Sequence, residues 1–168
     1  MISTIGYEGA SLEDFIASLK VACVDIVIDV RERAQSRRAG FSKNALASAL
    51  ESAGIEYEHF QKLGDPKEGR EAARAGDIEK FRRIYSNVIR GGDAVAAIDE
   101  IIEIASSMHA CLLCYERDPV SCHRKMITDI IEKKDGIKPI HLGVRKFEPL
   151  KSGRRRVLHT REGTTSPL

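Results

Sequence analysis

The side chains best suited to chemistry lie in two short segments in the second half of the sequence. Cys114 and Glu116 are two residues apart, and Cys122, His123 and Arg124 follow one another a little further on. A histidine and an arginine beside a cysteine favour its thiolate, because positive charge stabilises the anion. A nearby glutamate can transfer a proton. The segments therefore predict an enzyme with Glu116, Cys122 and His123 as catalytic groups, where Cys122 is a nucleophile or a ligand contact.

A second group of residues is suited to binding an acidic ligand. Asp29 and Arg31 flank one residue, so their side chains point to the same face of a strand. Arg31 could hold a phosphate or carboxylate with Asp29 orienting it, or the two could form a structural ion pair. Between Arg31 and Lys43, five basic residues stand against Glu32 alone, which favours a nucleotide or nucleic acid as partner. The other ligand-binding candidates are Gly6, Tyr7, Glu8, Ser36, Cys114 and Arg124.

Metal binding is an alternative function for the cysteines. Cys111 and Cys114 are three residues apart in an apolar run, and within a strand their thiols would point to opposite faces. We therefore assign no metal and no cofactor, and we expect Cys23 and Cys111 to be core thiols. Two alternatives to the enzyme stay open. One is a metal-binding protein that uses Cys114, Cys122 and His123, and the other is a non-catalytic module that binds an acidic ligand.

The elements that must position these groups alternate between strands and helices. This order predicts an α/β fold, a single three-layer domain with a mostly parallel sheet and helices on both faces, Rossmann-like in arrangement. Ligands of such sheets bind beyond the carboxyl ends of the strands, and the polar residues named above follow predicted strands. The five predicted strands cover residues 2–5, 24–30, 55–60, 109–114 and 137–142.

Local signals indicate where the helices begin. Ser11 and Asp77 are typical N-cap residues. Asp118-Pro119 is expected to begin the helix that carries Cys122 in its first turns, since Asp favours the N-cap and Pro the first helical position. Residues 64–76 are rich in glycine, alanine and charge, and we expect them to form an exposed excursion.

Composition and charge limit the class of protein. The 168 residues, 42% of them apolar, suit one domain with a full core. No segment has the roughly 20 apolar residues of a membrane span, and the N-terminus lacks the features of an export signal, so we expect a cytoplasmic protein without a membrane partner. Residues 145–168 carry seven basic and two acidic residues. We therefore expect an α/β domain over 1–144 and a basic, partly disordered tail over 145–168.

Several short motifs occur together in a characteristic order: Thr4-Ile-Gly-Tyr-Glu-Gly9, Ile28-Asp-Val-Arg31, Ser36-Arg-x-x-Gly-Phe-Ser42, Gly54-Ile-x-Tyr57, Leu63-Gly64, Leu113-Cys-Tyr-Glu116 and Cys122-His-Arg124. With them the chain resembles the domain of unknown function 488 family over roughly residues 2–142. The resemblance implies a small α/β domain, and its recurring positions match Gly6, Asp29, Arg31, Ser36, Phe41, Gly64, Cys114, Glu116, Cys122, His123 and Arg124.

Overall fold

The computed structural model describes residues 1–147 and contains a five-stranded parallel sheet with helices on both faces. The strands lie in the order β3-β2-β4-β1-β5, and every neighbouring pair is parallel. The three-layer α/β fold expected from the sequence is confirmed. Residues 148–168, most of the predicted basic tail, lie outside the described residues. The strands are β1 (Ile2–Gly6), β2 (Ile26–Asp29), β3 (Glu56–His59), β4 (Ala110–Cys114) and β5 (Ile140–Leu142).

Within the described residues, six α-helices connect the strands, and local side-chain contacts determine where several of them begin or end. Ser11 caps the first helix by accepting a hydrogen bond from the N–H of Asp14, and Asp77 caps the fourth in the same way. Gly136 ends the last helix with a φ of 73°, a conformation that glycine adopts without strain. No helix within residues 1–147 is both long enough and apolar enough to cross a membrane. The helices are α1 (Leu12–Val21), α2 (Lys43–Ser52), α3 (Lys67–Arg74), α4 (Ile78–Ile89), α5 (Gly92–Ser107) and α6 (His123–Asp135).

Alternating side chains divide the core between the two faces of the sheet. On one face, Val27 and Leu113 pack with residues of α1 and α2. On the other, Ile28 and Leu112 pack with residues of α3, α4, α5 and α6. We call these the α1–α2 face and the α3–α6 face. The division matters for function, because it decides which polar groups at the strand ends can meet.

The expectation of an exposed excursion at residues 64–76 is wrong. The segment contains α3, which packs against α4, and Asp65, Gly69 and Ala72 are buried. A β-carbon at position 69 would lie only 2.1 Å from Oδ1 of Asp65, so glycine allows the close approach of this loop to the helix. The small residues that suggested an irregular loop instead permit tight packing.

Two further expectations need correction. Asp118 and Pro119 begin only a short 3₁₀ helix, Pro119–Ser121, and Cys122 is the N-cap of α6 with an extended backbone. Cys122 therefore precedes the helix instead of lying within its first turns. Cys23, expected in the core, is exposed in the turn between α1 and β2 with a φ of 54°, whereas Cys111 is buried as expected. The turn that reverses the chain after α1 keeps Cys23 out of the sheet.

Candidate functional site

The site lies at the carboxyl end of β4, the central strand of the sheet. Cys114 ends this strand and pairs in register with Gly6, the last residue of β1. On the other side of β4, Leu113 pairs with Asp29 at the end of β2. Cys114 and Leu112 share a side of β4, so the thiol of Cys114 faces the α3–α6 face. The segment after β4 thus turns over the ends of two neighbouring strands, where parallel sheets bind ligands.

Four reactive side chains meet there, and we call them the thiol–imidazole cluster: Cys114, Glu116, Cys122 and His123. One atom of each lies within 4.8 Å of the corresponding atoms of the others. Nδ1 of His123 is 3.7 Å from Sγ of Cys114 and 3.7 Å from Sγ of Cys122. Oε2 of Glu116 lies 2.9 Å from Sγ of Cys114. The two cysteines and the histidine are buried, and Glu116 is the member with partial exposure.

Backbone and arginine contacts hold the cluster in place. Nε2 of His123 is 2.8 Å from the carbonyl oxygen of Val30, so this nitrogen donates and Nδ1 is turned towards the two sulfur atoms. Arg124 is buried behind Cys122, and its Nε donates to Sγ of Cys122 over 3.2 Å. A second donor of Arg124, Nη2, binds the carbonyl oxygen of Glu116 at 2.5 Å. The cluster is therefore oriented by groups just outside it.

The charges of the cluster differ from those of free side chains. Burial opposes the Cys122 thiolate, but a hydrogen bond from Cys114 and the positive charges of His123 and Arg124 hold the pKa of Cys122 well below its usual range. Burial and the neighbouring Cys122 raise the pKa of Cys114. Burial lowers the pKa of His123, while the Cys122 thiolate raises it more, to about 9. One sulfur is therefore an anion beside an imidazolium.

Two side chains beside the cluster were not expected from the sequence. Asp65 is buried, and within residues 1–147 its Oδ1 has no hydrogen-bond partner. Burial raises the pKa of Asp65 to about 6, with His123 among the charges that act against this rise. Tyr85 lies edge-on to the imidazole of His123 with ring centroids 5.2 Å apart, and its hydroxyl donates to the carbonyl of Leu63. The Leu63-Gly64 motif was the one sequence signal near these residues.

Asp29 and Arg31 lie at the same sheet edge but belong to a network on the α1–α2 face. Nε and Nη2 of Arg31 donate to the two carboxylate oxygens of Asp29 at 2.8 and 2.5 Å. Nη1 donates to the hydroxyl of Tyr7 and to the carbonyl of Phe41. Tyr57 donates a further hydrogen bond to Asp29. Four of the five N–H donors of Arg31 are thus occupied within the fold, so its role in ligand binding stays a prediction.

The remaining predicted ligand contacts lie in the loops around this edge. The backbone carbonyl of Glu116 lies against Gly6. The Glu8 carboxylate accepts a hydrogen bond from the N–H of Arg117, and the Ser36 hydroxyl accepts one from the N–H two residues later. Tyr7 is stacked on Phe41 at a centroid distance of 4.4 Å. These contacts shape the loops, and the structure does not bring Glu8 or Ser36 into the thiol–imidazole cluster.

An open cleft of about 540 Å³ lies beyond the ends of β2 and β3. Arg33, Lys43 and His59 are among the residues that line it. Glu32, also in its wall, forms a 2.5 Å ion pair with Arg70, which in turn donates to the backbone carbonyl of Asp65. Contacts therefore connect the cleft to Asp65, whose carboxyl is close enough to His123 for their charges to interact.

Comparison with known proteins identifies one family. A family model described as a domain of unknown function, DUF488, matches residues 11–131, which include β2, β4 and the whole thiol–imidazole cluster. No curated protein and no solved structure matches the chain.

Proposed function

The chain belongs to the DUF488 family, as its motifs indicated, and we propose that it is an enzyme acting on an acidic ligand of the nucleotide or nucleic-acid class. The observation that carries this proposal is the convergence of Cys114, Glu116, Cys122 and His123 at the carboxyl end of the central strand. A thiolate, an imidazole and a carboxyl group rarely share a buried site without a chemical purpose, because burying charge is costly.

Within the cluster, Glu116 is assigned the proton transfer. It is the one member with partial exposure, so it can contact both the buried sulfur atoms and a ligand at the surface. Cys122 supplies the negative sulfur, and His123 supplies the neighbouring positive charge. Arg124 positions Cys122 through its Nε hydrogen bond and does not itself need to touch the ligand.

The cleft beyond β2 and β3 supports the choice of ligand class. Arg33 and Lys43 in its wall favour phosphate groups, and His59 adds a further donor or acceptor.

We assign residues 1–144 to the α/β domain and residues 145–168 to the basic tail. The first residues of the tail contact α1, because the N–H of Phe147 donates a hydrogen bond to Asp14. A longer nucleic acid would contact the tail by its phosphates. We place the protein in the cytoplasm, where thiols stay reduced.

Turnover of a ligand panel tests this proposal. The full chain is incubated with nucleoside mono-, di- and triphosphates and short oligonucleotides, and the products are followed by mass spectrometry. We expect one class to be converted by the wild type and by Glu132→Gln, an exposed change on α6, and a loss of conversion in Glu116→Gln. Binding of the panel without any conversion would instead identify the non-catalytic module.

A further inference from the structure

We infer that Cys114, Cys122 and His123 bind one Zn²⁺ ion, with Glu116 facing the fourth coordination position. The zinc site is inferred from the distances within the thiol–imidazole cluster, and only the role of Glu116 at the fourth position rests on the proposed function. The inference therefore extends that function by naming the ion that the two thiols and the imidazole would hold.

The distances within the cluster fit a tetrahedral zinc site. Zinc bonds of about 2.3 Å to sulfur and about 2.0 Å to nitrogen, at a tetrahedral angle, place the sulfur and nitrogen ligands about 3.6 Å apart. Nδ1 of His123 lies 3.7 Å from each of the two Sγ atoms. An imidazole nitrogen equally spaced from two thiols is the arrangement that a shared metal requires.

The contacts around the three ligands also suit a metal site. Metal-binding histidines commonly donate their second ring nitrogen to a carbonyl or carboxylate, which fixes the orientation of the ring. His123 does so through Nε2 and the carbonyl of Val30. The hydrogen bond from Arg124 to Sγ of Cys122 supplies the outer support of a ligating thiolate. Because Nε2 is held by Val30, Nδ1 of His123 faces the two sulfur atoms.

Ligand type and charge favour zinc over harder cations. Two thiolates and an imidazole are the donors that zinc prefers, whereas magnesium and calcium prefer oxygen. Zinc binding would release the proton of Cys114 and the Nδ1 proton of His123, because zinc ligands must be deprotonated. The two thiolates, the neutral imidazole and Zn²⁺ would then carry no net charge, so the metal would balance two buried thiolates that are costly to bury alone.

Cys111 is not part of the proposed zinc site. Cys111 lies in the core of the α1–α2 face and Cys114 faces the other side, so these two do not share a metal. The second thiol instead comes from Cys122, which the extended backbone before α6 brings back over the end of β4. A contact across the segment between β4 and α6 therefore builds a site that the Cys-x-x-Cys spacing does not.

The fourth position gives Glu116 a defined task. With three protein ligands, zinc keeps one position for water or substrate, and it makes a bound water easier to deprotonate. Glu116 can accept that proton, and the hydroxide can attack an electrophilic centre of the ligand. The proton then passes from Glu116 to the leaving group, which completes the hydrolysis.

Metal content of the full chain tests the inference. The protein is purified under reducing conditions without chelators, and its metals are measured by inductively coupled plasma mass spectrometry. We expect about one zinc per chain in the wild type and in the control Cys23→Ser, which removes an exposed thiol outside the cluster. Cys114→Ser and Cys122→Ser should each hold less than about a tenth of that zinc.

Cobalt spectroscopy covers the case in which these variants do not fold. Wild-type protein loaded with Co²⁺ should show strong visible bands of a tetrahedral site and a sulfur-to-cobalt charge-transfer band. A wild type without zinc, a weak octahedral cobalt spectrum, or a Cys114–Cys122 disulfide in reduced preparations would each overturn the inference.

The Glu116→Gln variant separates this inference from the proposed function. It should keep its zinc while losing conversion of the ligand panel. Bound zinc in a wild type that converts nothing would refute the enzyme and leave the metal site. Conversion by a protein that contains no metal would refute the metal site and leave the enzyme.

Discussion

Glu116 and Gly6 are in direct contact, since a β-carbon added at position 6 would lie 1.8 Å from the carbonyl oxygen of Glu116. The end of β1 must therefore be glycine for the chain after β4 to turn across it. We expect Gly6→Ala to lower the free energy of unfolding by about 3 kcal/mol, because backbone atoms on both sides would have to move. Urea denaturation measures the loss.

Gly92→Ala is the matched control for that substitution. Gly92 begins α5, and nothing lies within 4 Å of a β-carbon placed there. Its replacement should change the unfolding free energy by less than about 1 kcal/mol. An equal effect of both substitutions would mean that the contact with Glu116 does not restrict position 6.

Breaking the Asp29–Arg31 ion pair should lower the free energy of unfolding. Both side chains are buried, at 0% and 6% exposure, so removing either leaves an unpaired charge in the core. We expect Arg31→Met and Asp29→Leu each to cost about 3–5 kcal/mol, and the double variant to cost less than their sum. Lys125→Met, which breaks the exposed pair with Asp129, should cost less than about 1 kcal/mol.

The same experiment separates the two interpretations of Arg31. If Arg31→Met unfolds at the same urea concentration as the wild type but loses affinity for nucleotides, Arg31 is a ligand clamp. If stability falls as expected, the network of Tyr7, Asp29 and Arg31 is primarily structural.

Position 58 gives a prediction about pH. Burial and the negative charges of Glu100 and Glu56 raise the pKa of Glu58. The folded form thus binds this proton more tightly than the unfolded form, so the ionised carboxylate reduces stability at neutral pH, and this cost disappears as the pH falls below the unfolded-state pKa. Glu58→Gln should melt at a higher temperature than the wild type at neutral pH and at the same temperature near about pH 3. Glu103→Gln on α5 serves as the exposed control.

Local signals made much of this fold predictable. The caps at Ser11 and Asp77 need only residues within one helical turn, and the alternation of strands and helices fixes the fold class. The groups of the site were predictable by type, because they follow strands. The face of the sheet on which each group lies was not predicted. Arg31 bonds to Tyr7 and Phe41 on the α1–α2 face, whereas Cys114 lies on the α3–α6 face. Asp65 was missed because residues 64–76 were expected to be exposed, whereas they contain α3, which packs against α4.

The cysteines should differ in their reaction with iodoacetamide. Cys23 is exposed and should be labelled first. Cys111 should be labelled only on unfolding, because it is fully buried and burial raises the pKa of its thiol to about 12. Cys122 is buried as well, so it should be labelled more slowly than Cys23, and more slowly still in zinc-loaded protein than after chelation. Mass spectrometry of peptides measures the three rates, and labelling of Cys122 at one rate with and without chelator would contradict its role as a ligand.

The basic residues of the cleft and of the tail should affect binding differently. Arg33 and Lys43 line the cleft, so Arg33→Gln with Lys43→Gln should weaken the binding of mononucleotides and oligonucleotides alike. Residues 148–168 hold five basic residues against two acidic ones, and we expect them to bind phosphates of a nucleic acid that extends beyond the cleft. A chain ending at residue 147 should therefore keep its affinity for mononucleotides and lose affinity for oligonucleotides. Fluorescence anisotropy measures both.

Salt dependence decides whether those tail residues contact phosphates. Each phosphate neutralised contributes a slope of about −0.9 for duplex DNA, and about −0.7 for single strands, to log affinity against log salt. Removing residues 148–168 should make the slope shallower and weaken all sequences equally, because phosphate contacts do not distinguish bases. Conversion of a mononucleotide should persist in the shortened chain, since the thiol–imidazole cluster is intact. If the full chain shows no salt-dependent binding even at low ionic strength, nucleic acid is not the partner, and a small acidic ligand is the better candidate for the cleft.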